Sequence, residues 1–539
     1  MPAAQAANNR HKTLYAYAYR RSADQDAGKP ARRPVVVVGA GPVGLAAAID
    51  LAQRGVPVVL IDDADRIGEG SRGICWSKRT LEICDRLGVG KKLVAQGVTW
   101  QLGKVLHGDE LVFAFDLLPE AGHKMPAFIN LQQFHLEKAL CDRAGELPNL
   151  ELRWKNRLAG LEPRNDHVRL TIDTPDGAYT LDADWLIAAD GARSTARDLL
   201  GLQFSGVTFE DKFLIADIKM AADFPTERRF WFDPSFHSGQ SALMHRQPDN
   251  VWRIDLQLGP DADVAAEQEP ARVTARLKRM LGEREFSLEW ISIYRFNCRR
   301  LDRFVHGRVV FIGDAAHQVS PFGARGANSG IQDAENLAWK LAAVLKGEAG
   351  ASLIDSYERE RMQAADENIA HSTRSTDFIA PHSGAERKLR DAVLALAPKA
   401  EFARRMINSG RLSVATVYDT SLSTPDVDMF AGAARLGAPA PDAPMRRADG
   451  GASHLLENIA GEFTLLYVKD GAAPLAPAGV KLATIGSDLI DADGIFARRF
   501  DATPGSAYLL RPDQHLCARW RTFDAGRVAA ARDRALGRT

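Results

Sequence analysis

Three pairings of glycine with a carboxylate mark where this 539-residue chain could do chemistry. The first is Gly39-Ala40-Gly41-Pro42-Val43-Gly44, a GxGxxG. Asp62 follows at about the 20-residue separation expected of an acid that accepts hydrogen bonds from a ribose diol. The second is Asp190-Gly191, with Arg193 and Arg197 just beyond as candidates for phosphate. The third is Gly313-Asp314, which leads into a loop carrying Pro321, Gly323, Gly326, Ala327, Asn328 and Gly330. Glycine lets backbone come close to a ligand, and N–H groups at a helix start can face phosphate. In the first motif Gly39 permits the tight turn, Gly41 lets the backbone reach a pyrophosphate, and Gly44 lets helix and strand pack closely. The chemistry is that of holding a dinucleotide. The motif alone does not separate NAD from FAD.

The elements that must position these residues are legible around them. Residues 35–38 are an apolar run suited to a buried strand, and Leu45, Ala48, Ile49 and Ala52 recur behind them at helical spacing. Gly55 ends that helix, and residues 58–61 form a second strand ending at Asp62. Residues 185–189 read as a strand running into Asp190-Gly191, and 309–312 as one running into Gly313-Asp314. A long amphipathic helix begins near Ser329, and a charged helix follows over 356–374. Residues 76–88 and 129–140 read as further helices, the second opening on Gln132 and Gln133.

The bulk composition bounds what such a chain does. At 539 residues it exceeds one ordinary core, so two or three domains are expected. Hydrophobic content of 45% and charged content of 26% are those of a soluble globular protein. Lys+Arg and Asp+Glu both number 69, which argues against general nucleic-acid binding and against a basic membrane-binding surface. No apolar stretch is long enough for a membrane span, and residues 1–33 hold no apolar signal core, so a cytoplasmic location is expected. Cys75, Cys84, Cys141, Cys298 and Cys517 are scattered without a CxxC and read as reduced thiols. The histidines show no metal-ligand spacing, so no metal is expected.

With these motifs in this order and approximate spacing, the chain resembles the single-component FAD-dependent aromatic hydroxylases, the group A flavoprotein monooxygenases. It is similar to the branch of phenol hydroxylase-like and 3-(3-hydroxyphenyl)propionate hydroxylase-like enzymes, well over about residues 34–400 and weakly beyond. The resemblance implies an α/β fold. A Rossmann-like FAD-binding domain of the glutathione-reductase type would span 34–200 and 300–430, with an inserted, mainly antiparallel substrate sheet at 201–299. A linker at 431–444 and a thioredoxin-like domain at 445–539 would follow a 1–33 arm. It also implies that Gly39, Gly41 and Gly44 face the FAD pyrophosphate, that Asp62 holds the adenosine ribose, and that Arg72 and Gln133 contact the nucleotide, with Gln132 the adjacent alternative. Asp190 and Gly191 match a motif shared between FAD and NAD(P)H. Gly313 and Asp314 match the motif that holds the ribityl chain, and Arg299 lies in the basic run approaching it. Pro321, Gly323, Gly326, Ala327 and Asn328 match the segment beside the isoalloxazine ring. Family members often carry two consecutive glycines where this chain has Gly323-Ala324-Arg325-Gly326; Arg325 would either favour negative charge on reduced flavin or point to solvent.

The implied reaction uses NADH or NADPH and O2 to hydroxylate a phenolic, perhaps carboxylated, ring through a flavin C4a-hydroperoxide. Strands are expected at 213–220, 227–232, 241–246, 251–256 and 288–296, with a helix at 269–281; this sheet would cover the flavin and wall the substrate pocket. His237, His245, Tyr294 and Arg295 are the candidates to hold or deprotonate a phenol, and Arg228, Arg246 or Arg253 to pair with a carboxylate. Strands at 463–468, 480–485, 506–510 and 517–522 make the last domain, with a structural or homodimer-contact role. Two other readings remain open: an FAD-dependent dehydrogenase without oxygen insertion, and a non-catalytic flavin-binding redox sensor.

Overall fold

The apolar run Val35–Val38 is the centre of an eight-stranded sheet. In this computed structural model, which describes residues 15–67, 72–407, 412–459 and 461–538, the strand starts earlier than its sequence pattern, at Ala31. The main strand order is Val305–His306, Val309–Phe311, Gly177–Ala188, Ala31–Val38, Val58–Ile61 and Leu150–Arg153. From Val309–Phe311 onward neighbours run parallel, with Val35 opposite both Trp185 and Val58. Val168–Thr174 and Arg157–Pro163 extend the sheet as an antiparallel meander. Helix Pro42–Gln53 packs on the central strands and Val35–Val38 are all buried, which is why the strand is unbroken valine rather than alternating. Helix Pro42–Gln53 begins with Pro at its first turn and Gly41 at its N-cap, and packs against helix Gly326–Leu345. Leu45, Ile49 and Leu51 are fully buried on it, and each such side chain contributes about 1.5–3 kcal/mol.

The second sheet also has eight strands, in the order His317–Gln318, Ser287–Leu301, Phe204–Lys219, Val251–Leu258, Ser241–Arg246, Arg228–Phe232, Leu102–His107 and Glu110–Asp116. It is antiparallel except where Leu102–His107 joins Arg228–Phe232. Its last two strands come from the segment the sequence reading placed wholly in the nucleotide half. No local pattern encodes a pairing between segments so distant in the chain. At the other edge His317–Gln318, directly after Gly313-Asp314, pairs with Arg299 and Arg300 and ties the two sheets together.

The C-terminal sheet runs Ala452–His454, Pro444–Arg447, Leu489–Ile490, Lys481–Ile485, Thr464–Val468, Ala507–Leu510 and Leu516–Trp520, a mixed thioredoxin-like arrangement. The 431–444 stretch is not a free linker. Ala434, Ala440 and Ala443 are buried, and the Gly437 and Ala440 amides donate to Leu516 and Gln514 carbonyls. Small side chains let this Pro/Ala-rich segment lie flat on the domain it precedes. Buried charged groups fasten the domain to the rest: Arg511 pairs with Glu360 (2.7 Å), and Arg79 donates to Gln514 (3.0 Å) and to the Asp513 carbonyl (2.9 Å). Removing one partner of such a pair costs far more than the pair gains over apolar packing.

The arm, described from Tyr15 onward, lies on its own fold. Tyr17 stacks on Trp154 with centroids 4.5 Å apart, and buried Asp24 pairs with Arg33 and with Arg153 (2.6 Å). The expectations for residues 1–14, and for the part of the Arg72 loop at 68–71, lie outside the described residues. Among the described residues the five cysteines are free, and no helix is long and apolar enough to cross a membrane.

Candidate active site

The three motifs converge because three parallel strands end at one place: Val38 runs into Gly39, Ala188 into Asp190-Gly191, and Phe311 into Gly313-Asp314. Gly39 has φ +104°, and a Cβ there would meet the Ala189 carbonyl oxygen at 2.5 Å. A Cβ on Gly44 would meet the Gly39 oxygen at 1.9 Å. These two glycines make the turn possible. Gly41 and Gly191 differ: both line a cavity of about 480 Å³, and a Cβ on either would project into open space. Bare backbone thus faces the cavity where a pyrophosphate needs it. Helices Pro42–Gln53 and Gly326–Leu345 begin beside it, adding the partial positive charge of their N-termini.

Asp62 accepts hydrogen bonds from the Ala40 (2.6 Å) and Ala64 (2.8 Å) amides and stands off the cavity wall. Asp190 is also behind the wall. One of its oxygens accepts from the Ala196 amide (2.9 Å), while Oδ1 is buried with no partner among the described residues. Burial raises the pKa of both acids. Asp314 opens directly on the cavity; crowding by protein behind it raises its pKa, with His317 and Arg72 opposing. The Gly313 amide donates to Asp333 (2.9 Å), which also binds His317 (2.7 Å) and Arg361 (2.5 Å). Burial pushes Asp333 up, but Arg361 and His317 outweigh it and hold the acid below its ordinary range. This buried network fixes the Gly313-Asp314 turn from beneath.

Gln133 accepts from the Gly73 amide (3.0 Å) and lines the cavity with Arg72; Gln132 does not. Asn328 clamps two segments, accepting from the Ser77 amide (3.0 Å) and donating to the Cys75 (2.9 Å) and Ala324 (2.6 Å) carbonyls. Pro321, Gly326 and Ala327 line the cavity as expected. Gly323 does not; it sits against Arg325, which is 4% exposed and therefore does not point to solvent. Ala324 adopts the left-handed region at φ +50°, the conformation glycine supplies most easily. Arg299 stands behind the wall, donating to Gln318 (2.9 Å) and lying 4.8 Å from the Phe204 ring. Arg193 is likewise absent from the wall. Arg197 lies over the Phe204 ring at 4.3 Å.

The opposite wall is a sheet face. Strand register brings Arg253 opposite both His245 and Asp217, and Asp255 opposite both Leu243 and Ile215. The register Arg229↔Met244 sets Arg228 alongside His245. Alternation thus gives a polar row of Arg228, His245, Arg253 and Asp217, and beside it a row whose single acid is Asp255. Arg253 is held by Asp217 (2.8 and 3.0 Å), and buried Arg228 donates to the Phe322 carbonyl (3.0 Å). Tyr294, Arg295 and Phe296 reach the cavity from the next strand, and Trp100 and Cys75 close it. His237 is not part of it: its Nε2 meets the Gln257 carbonyl (2.7 Å) in a turn packed against helix Pro270–Leu281. Arg246 also falls outside, over the Trp252 ring. Sequence reasoning missed Asp255, Cys75 and Trp100. The alternation of Arg253, Asp255 and Gln257 within Val251–Leu258 was the signal for Asp255.

The backbone cradle and the acids around it fit FAD, and comparison with known proteins agrees. The family described as FAD binding domain matches residues 32–372. A flavin-dependent monooxygenase of Mycobacteroides abscessus is 30% identical over 89% of this chain and 96% of its own. A para-nitrophenol 4-monooxygenase of Pseudomonas is 29% identical over 66% of this chain and 89% of its own. The fold is shared with the flavin-dependent monooxygenase PieE, solved with FAD and substrate, at 24% identity, TM-score 0.80, covering 95% of this chain and all of that one. A dehydrogenase or a non-catalytic sensor finds no such support. The chain belongs to the FAD binding domain family and is an FAD-dependent monooxygenase.

Proposed function

We propose that this enzyme uses NAD(P)H and O2 to hydroxylate a small aromatic compound that carries a ring hydroxyl. The observation that supports this is one cavity lined both by the cofactor loop, at Asp314, Pro321 and Gly326, and by the sheet face of His245, Asp255 and Tyr294. FAD, when bound, supplies the redox chemistry: it accepts reducing equivalents from NAD(P)H and activates O2. The chain does the rest. Backbone at Gly41 and Gly191 and the N-termini of two helices would hold the pyrophosphate. Gln133, and Asp62 beyond the cavity lining, would hold the nucleotide, and Asp314 would hold the ribityl chain. Arg325 and Pro321, which line the cavity, would border the ring, with Arg325 supplying positive charge. Leu243, Phe296, Phe322 and Trp100 give the cavity an apolar side, which would shield the reacting oxygen from water. Arg228 presents buried positive charge to a substrate oxygen.

Two measurements test the reading. Purified enzyme is screened with phenols, following NAD(P)H oxidation and the mass of the product. Stimulated oxidation with a product one oxygen heavier is expected; stimulation without oxygenated product from every phenol would overturn the assignment. Asp314→Ala should retain clearly less FAD after gel filtration, and full retention would remove Asp314 from its role.

A further inference from the structure

Asp255 is faced by Arg253 on its own strand, by Asp217, His245, Arg228 and Tyr294 on other strands of the same sheet, and by Cys75 across the cavity. Arg253 is committed to Asp217. Asp255 is not so committed: its Oδ1 is buried on the cavity wall with no partner among the described residues. An unpaired buried acceptor is costly, and a bound donor relieves it. The Nδ1 of His245 is likewise buried and unpartnered, one register step away.

We propose that Asp255 accepts the hydroxyl proton of the substrate, and that the substrate enters as a neutral hydroxyaromatic rather than as a ready-made phenolate. This rests on the hydroxylase reading above. In the step, the substrate O–H bond breaks and the proton joins Asp255 Oδ1. The electron pair stays on the substrate oxygen, whose charge lies in the field of Arg228 and Arg253. The ring becomes more electron-rich, and nothing is oxidised or reduced. The other titratable groups are poorly matched. Burial, then Arg228 and Arg253, holds His245 well below its ordinary pKa, so it resists a second proton. Burial pushes the Cys75 thiol up to about 11. Burial pushes Asp255 up to about 6, against the pull of Arg253 and Arg228, which suits a base working near neutrality.

The test compares Asp255→Asn and Asp255→Glu with the unmodified enzyme, using phenol, 3-(3-hydroxyphenyl)propionate and 4-nitrophenol across pH 5–9. Hydroxylated product, FAD content and thermal midpoint are measured together. Asp255→Asn should keep FAD and midpoint, lose about 10²-fold in kcat/KM for product from a weakly acidic phenol, and lose the rising limb through about pH 6. The loss should shrink for 4-nitrophenol above its own ionisation, where the proton has already left. Asp255→Glu should restore part of the rate. Equal losses for all phenols whatever their acidity, or a retained limb, would overturn the proposal while leaving the hydroxylase reading intact. No oxygenated product from any phenol with the unmodified enzyme would overturn both. Should Asp255→Asn fail to fold, Asp255→Ser is judged by the same readouts.

Discussion

Gly41 and Asp255 line one cavity and work by opposite means. Gly41 contributes nothing but backbone, at the end of a strand whose neighbours fix its place. Asp255 contributes a carboxylate, and its position depends on the register of three strands, Phe204–Lys219, Ser241–Arg246 and Val251–Leu258. The cofactor wall therefore depends on shape: Gly39 and Gly44 have no room for a Cβ, and Gly41 and Gly191 leave backbone bare towards the cavity. The substrate wall tolerates changes of shape but is governed by charge. Cofactor chemistry can stay constant on the first while substrate choice changes on the second.

Adding one methyl group at Gly44 is the strongest attack on the first half of this contrast. The new Cβ would lie 1.9 Å from the Gly39 carbonyl oxygen and 3.1 Å from the Ala189 side chain. The Gly39 oxygen cannot move without breaking the turn that Gly39 makes at positive φ. We expect Gly44→Ala to cost at least about 3 kcal/mol and to lose FAD, measured by urea denaturation and bound flavin per chain. An unchanged midpoint and full flavin content would show that this wall is not sterically closed.

This contrast also explains what was legible. The glycine motifs, Asp314 and the valine strand are local patterns, because a tight turn and a buried strand each leave a signature within a few residues. His245, Tyr294 and the Arg253 position could be named as candidates, but not ranked. Ranking needed the register that sets Arg253 against Asp217 and leaves Asp255 open. His237 misled because a histidine in a polar turn looks the same whether it faces a cavity or a carbonyl. Residues 102–116 fell within the 34–200 bounds because the strand that Leu102–His107 joins, Arg228–Phe232, is remote. The 431–444 segment looked like a linker because alanine and proline leave no periodicity, yet alanine is small enough to be packed flat.

The substrate wall is tested by pH. His245 is buried and held well below its ordinary value of 6.5. Above pH 6.5 it is neutral in both the folded and unfolded chain, and its contribution is constant. Below 6.5 the unfolded chain takes up a proton that the folded protein refuses, so stability falls by up to about 1.4 kcal/mol per pH unit. Asp255 acts in the opposite sense: its folded pKa, about 6, lies above its ordinary 3.8, so acidification from 6 towards 4 restores stability. The comparison is therefore between His245→Asn and the unmodified protein, both of which keep Asp255. The variant should gain on the parent as pH drops from 6.5 to 5, read from urea midpoints at each pH. A constant difference across that range would mean that His245 titrates as it does in water.

Gly323→Ala probes the point where the two kinds of wall meet, and its expected effect is the smallest. A Cβ at Gly323 would fall 1.7 Å from Arg325 Nη1, nominally worse than the clash at Gly44. The obstacle here is the end of a long side chain rather than a backbone oxygen, so rotation about the arginine torsions can relieve it. Gly323 also lies outside the positive-φ region, so alanine introduces no backbone strain. We expect less than about 1 kcal/mol in midpoint, with FAD retained. The displaced guanidinium borders the cavity, so substrate-stimulated NAD(P)H oxidation should change more than stability does. A loss as large as that of Gly44→Ala would mean that Arg325 is locked as firmly as backbone. The loop around Ala324 and Arg325 would then belong to the rigid cofactor wall, and not to the adaptable substrate wall.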